Sequence, residues 1–172
     1  MKRNIAIMAV GMALLTMACT AKTNEYCAAD GSVKATVKVG TDEWHITKAD
    51  GSEVVPDYDS MRVVQTGDEG HPMTVVYYIG NRQHWMQYYS TMQLRSEGDM
   101  VGGQREGRWV YYHPNGLVQS ECTFVAGQED GPYRVYRENG SPYYLGQYTA
   151  GQRTGRWEVY DDMGVLVETK EY

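Results

Sequence analysis

One phrase is written three times at a fixed interval between Gly103 and Tyr172. Gly103-Gln104-Arg105-Glu106-Gly107 returns as Gly127-Gln128-Glu129-Asp130-Gly131 and again as Gly151-Gln152-Arg153-Thr154-Gly155. Two residues after each closing glycine stands an aromatic, Trp109, Tyr133 or Trp157, and three further on stands Tyr112, Tyr136 or Tyr160. Four residues beyond each tyrosine comes Gly116, Gly140 or Gly164, preceded by Asn115, Asn139 or Met163. A fixed period of this size marks a repeat architecture, in which each unit buries apolar surface against its neighbours.

Each phrase has a local physical reading. Asn-Gly between two strand-forming runs signals a hairpin, and a two-residue type I′ turn would suit it. The run Arg108-Trp109-Val110-Tyr111-Tyr112 before it and the run 117–125 after it are rich in strand formers. Gly-Gln-x-x-Gly then turns the chain back, with glycines where positive φ is needed. The expected fold is all-β, an antiparallel meander of tandem hairpins, one per period, forming one elongated, curved sheet.

The phrase resembles the MORN repeat, in the bacterial variant of the YwqK-like antitoxin family. The matching positions are Gly107, Trp109, Tyr112, Asn115 and Gly116; then Gly131, Tyr133, Tyr136, Asn139 and Gly140; then Gly155, Trp157, Tyr160 and Gly164. Tyr133 replaces a tryptophan and Met163 an asparagine. The resemblance implies a stack of hairpins that serves as a scaffold or binding surface, and it implies no catalytic set.

The start of the chain reads differently. Lys2 and Arg3 precede an uncharged, mostly apolar run over 5–18, ending at Ala18-Cys19. That run is short for a membrane span and has the form of a secretory signal. Ala18-Cys19 resembles the lipobox of bacterial lipoproteins, which implies that 1–18 is a signal peptide of lipoprotein type with lipidation at Cys19. Cleavage after Ala21 is the alternative. The chain would then be exported and lipid-anchored in a bacterial cell envelope, or else periplasmic or secreted.

Removing Lys2 and Arg3 from the 16 basic side chains leaves 14 against 22 acidic ones, a net charge of −8. Nucleic acid and anionic membrane surfaces need clustered basic residues, so a lipid anchor is the only membrane contact expected. Cys27 and Cys122 are read as unpaired thiols, Cys122 as a small packed group.

Residues 19–29 read as a tether and 30–79 as N-terminal hairpins. Val33, Ala35, Val37 and Val39 alternate with polar residues, the pattern of a half-buried strand. Residues 80–102 read as a degenerate repeat, because Trp85 and Tyr88 stand one full period before Trp109 and Tyr112, with Thr91-Met92 at the turn. Residues 103–172 hold the three clear repeats. One continuous sheet is expected, with a separate N-terminal β-domain as the alternative.

No constellation of residues carries chemistry. His45, His71, His84 and His113 lack metal-ligand spacing, and His113, before Pro114 in a turn, is expected to be exposed. Asp57, Asp59, Asp68 and Glu69 read as solvated loop charges. No cofactor, metal site or catalytic residue is expected. Side chains alternate between the faces of a strand, so Trp109, Tyr133 and Trp157 should be buried on one face. Tyr112, Tyr136 and Tyr160 should line the other, as the candidate binding face. A protein partner is the first reading and an extended glycan on the tyrosine row the second.

Overall fold

The computed structural model describes residues 23–172, apart from 29, 39, 40 and 56. The signal segment and Cys19 lie outside these residues. Every regular element is a strand. β1 (Thr23–Cys27), β2 (Val33–Lys38) and β3 (Trp44–Lys48) form a three-stranded sheet. The remaining ten strands form one antiparallel sheet in unbroken chain order. They are β4 (Ser60–Thr66), β5 (Pro72–Ile79), β6 (Arg82–Tyr88), β7 (Leu94–Val101), β8 (Gln104–Tyr112), β9 (Val118–Val125), β10 (Gln128–Tyr136), β11 (Pro142–Thr149), β12 (Gln152–Tyr160) and β13 (Leu166–Glu171). The fold is all-β, a hairpin meander as the repeat requires.

Two expectations need correction. The meander is not one continuous sheet, because it breaks between β3 and β4. Part of the expected tether is a strand: Thr23–Cys27 pairs with β2, Glu25 against Thr36 and Tyr26 against Ala35. Only Tyr26 of its five residues is half-buried, which suits an edge strand, where most side chains face water.

The turns also differ from expectation. The Gly116 N–H donates to the His113 carbonyl at 2.9 Å, and the His113 N–H to the Leu117 carbonyl at 2.8 Å. Gly116 has φ 83°, while Asn115 is not among the residues of positive φ. This is a type I turn followed by a left-handed glycine, a three-residue loop rather than a type I′ turn. Asparagine is there for its side chain: Asn115 Oδ1 accepts from the Leu117 N–H at 3.0 Å, and Asn139 Oδ1 from the Ser141 N–H at 2.9 Å. In the third repeat Asp161 Oδ1 accepts from the N–H groups of Met163 and Val165, so Met163 needs no polar side chain. Met92 takes the left-handed place in the degenerate repeat at φ 62°. Paired positive φ occurs at the opposite ends of the strands, at Ala126-Gly127 and Ala150-Gly151.

Packing divides the molecule. The small sheet covers one face of β4–β7. Ala35 and Ile46 meet Val75, Tyr77, Met86 and Tyr88 there, all nearly inaccessible. Beyond β7 that face has no second layer among the described residues.

Candidate binding face

The tryptophan row explains how a single layer stays folded. Glu97 pairs with Val110 and Asp99 with Glu106, so Gly107, Arg108 and Trp109 all stand opposite Gly98. This bulge lays the Trp109 indole over Gly98, where a β-carbon would come within 2.2 Å of the ring. Trp109 Nε1 then donates to the Asp99 carbonyl at 2.9 Å. Gly155 and Trp157 repeat the device over Gly146, again with 2.2 Å to a built β-carbon. Tyr133 lies opposite Cys122 in the middle repeat. Trp109 and Trp157 are 5% and 1% exposed, and Tyr133 is half-buried. The Arg105 and Arg153 guanidinium groups lie over the indoles, 4.6 and 4.7 Å from the ring centres. Burial pushes the Cys122 thiol up to about 11, and Cys27 and Cys122 are both free.

Consecutive repeats are also tied at their turns. Tyr89 Oη donates to the Tyr112 carbonyl at 2.7 Å, His113 Nε2 to that of Tyr136 at 3.0 Å, and Arg137 Nη2 to that of Tyr160 at 2.7 Å. His113 is therefore buried and not exposed as expected: the next repeat closes over it. At the other edge the Glu106 and Asp130 carboxylates accept from the Ala126 and Ala150 N–H groups of the following turns.

Tyr112, Tyr136 and Tyr160 are half-buried on the face opposite the tryptophans. Tyr112 Oη donates to Glu97 at 2.5 Å and Tyr160 Oη to Glu158 at 2.6 Å. Burial, then the bond to Glu97, raises the Tyr112 phenol. A charged ladder runs across the same face. Arg108 Nη2 and Arg134 Nη1 hold the two Glu121 oxygens at 2.6 and 3.0 Å. Burial alone would raise the Glu121 carboxyl, but these bonds outweigh it and hold it below its usual value. Sequence reasoning missed the ladder, because cross-strand partners become neighbours only once the register is known.

The covered and open parts of this face meet in a cleft of about 410 Å³. Its lining joins the apolar side chains of Val54, Val55, Ile79 and Met86 to the polar ones of Arg82, His84, Glu97 and Asp99. His84 Nδ1 is 2.7 Å from Asp99 and its Nε2 is 3.6 Å from Glu97. Bonds to Glu97 and Asp99 raise the imidazole above its usual value despite burial, which acts the other way. Arg82 completes the group, 3.0 Å from Asp99. Among the described residues no three His, Cys, Asp or Glu side chains could hold a metal ion.

Comparison with known proteins agrees with this geometry at the level of the repeat. Residues 105–126, the β8–β9 hairpin without its first residue, match the family described as "MORN repeat variant". One hairpin of the chain thus matches a MORN-type repeat, and its phrase recurs at the same interval in β10–β11 and β12–β13. No curated protein matches. Among solved structures, an S. aureus TarM mutant in complex with fondaparinux, alpha-GlcNAc-glycerol and UDP is similar over 77% of this chain and 21% of that one, at 6% identity and a TM-score of 0.35. A second TarM crystal structure gives 76%, 20%, 5% and 0.34. The chain spans about a fifth of the length of these structures.

Proposed function

We propose that this protein is a non-enzymatic interaction scaffold that presents the open tyrosine face of β8–β12 to a protein partner. One observation carries the reading: the charged groups on that face are fixed but not covered. Arg108 and Arg134 are 63% and 45% exposed, yet both are held on Glu121. Arginines fixed in this way lose little freedom on binding, and arginine and tyrosine are favoured where interfaces concentrate their energy. A glycan platform is the weaker reading, because the Tyr112 and Tyr160 hydroxyls are already engaged within the sheet.

In this reading the scaffold belongs to the cell envelope, anchored through Cys19. Cys19→Ser should release the protein from membranes without lowering its melting temperature. Unchanged membrane fractionation would refute the anchor. For the binding face, the immobilised full chain should capture a partner from envelope extract. Replacing Tyr112, Tyr136 and Tyr160 together by Ser, or Arg108 and Arg134 together by Glu, should abolish capture while circular dichroism still reports the β-sheet. Capture that survives in both folded variants would remove this face from the function.

A further inference from the structure

The two edges of the ten-stranded sheet are unlike. β4 carries two register shifts, between Val63 and Gln65 and between Gln65 and Thr66, which bend an edge away from pairing. β13 is exposed along its whole length and has no neighbour on its outer side among the described residues. Its one register shift lies at its start, opposite Val159 and Tyr160, and leaves Glu168 to Glu171 in regular pairing with β12. Val165, Leu166 and Val167 there are 55%, 40% and 60% exposed. A straight, uncovered edge of this kind offers a row of free backbone donors and acceptors.

We propose that two copies of this chain pair through β13, antiparallel about a two-fold axis at Thr169. The hydrogen-bond phase allows only some registers. Gly155 and Tyr172 exchange both backbone bonds, at 3.2 and 3.0 Å. Bonded pairs alternate along an antiparallel ladder. The N–H and C=O groups of Tyr172, Lys170 and Glu168 therefore point toward β12, and those of Glu171 and Thr169 point outward. A second copy must bond to the outward set.

Charge then selects among the registers that remain. An axis at Glu168, Lys170 or Glu171 sets two like charges against each other, and an axis at Val167 places Glu168 opposite Leu166 and Lys170 opposite Gly164, with no opposite charge for either. An axis at Thr169 places Thr169 on Thr169 as a bonded pair and each Glu168 opposite Lys170 of the other copy. Those two pairs are of the close, non-bonded kind, in which opposite charges across strands stabilise and like charges destabilise. The interface is isologous and closes as a dimer without building a fibre. It lies apart from the tyrosine face, so neither reading depends on the other.

The test uses charge complementation in the full chain. The parent should sediment at twice the mass of one chain. Glu168→Lys alone and Lys170→Glu alone should each weaken self-association by roughly tenfold or more, with unchanged circular dichroism. When the two variants are mixed, every cross-strand pair at these positions again joins a lysine to a glutamate, and dimers should return as heterodimers. Thr169→Pro removes an N–H that β12 does not use, so it should leave the fold and abolish pairing. A parent that stays monomeric at every concentration overturns the proposal. So do single variants that dimerise as the parent does, and folded variants whose mixture stays monomeric.

Discussion

The two halves of this chain solve the same problem by different means. Over β4–β7 the sheet is covered by β1–β3, and Ile46, Val75 and Tyr77 form an ordinary two-layer core. Over β8–β13 no second layer exists among the described residues, and Trp109 and Trp157 are buried instead by their own sheet. The glycine of the neighbouring strand makes room for the ring, the bulge delivers it, and an arginine lies on top. The comparison shows that a repeat can bury tryptophan without a second layer, provided the small and large positions keep the same period. That arrangement leaves the opposite face free, which is why the binding face is placed there.

The largest expected effects separate the halves. Trp157→Ala and Ile46→Ala remove one keystone each and should cost about 3–5 and 2–5 kcal/mol in chemical denaturation. If the halves differ as described, Trp157→Ala should produce a separate early transition, because in a stacked array each repeat contacts only its neighbours. A single cooperative transition for both variants would show one shared core.

Gly146→Ala comes next. Its β-carbon would stand 2.2–2.5 Å from Trp157 ring atoms, and overpacking of this kind costs about 1–3 kcal/mol. Combined with Trp157→Ala, the same change should cost almost nothing, because the clash has gone. Full additivity of the two losses would mean that the ring does not rest on this glycine.

The smallest effect is a pH dependence at the junction of the halves. Bonds to Glu97 and Asp99 raise His84 above its ordinary value of 6.5, and the bond from His84 leads in holding Glu97 below 4.5. A raised histidine stabilises fully below its unfolded value and loses that as pH rises through its folded one. A lowered carboxylate stabilises above its unfolded value and loses that as pH falls through its folded one. The pair therefore contributes most between about pH 4.5 and 6.5. The melting-temperature gap between the parent and His84→Gln should be widest in that window and narrow toward alkaline pH. A gap that widens with rising pH would contradict the assignment.

Much of the repeat half is legible in the sequence, because its glycines and the second aromatic of each phrase recur unchanged. The glycine–tryptophan–tyrosine spacing gives the hairpins and sends the two aromatic rows to opposite faces. Other parts are legible only in hindsight. Gly98, Cys122 and Gly146 also recur at the interval of the repeat, but small residues inside strands are a quiet signal. Tyr89, His113 and Arg137 keep the same period and share no chemistry except a hydrogen-bond donor, so the tie between turns escapes a search for matching letters. The break between β3 and β4 has no repeated phrase to mark it. Thr23–Cys27 looks like a tether because an edge strand needs few apolar residues.

Hydrogen exchange on the folded Trp157→Ala variant tests the division most directly. Faster exchange should be confined to β8–β13, with β1–β7 protected as in the parent. Protection lost uniformly from β1 to β13, or lost first in β1–β7, would contradict a single-layer half held by its own aromatic row.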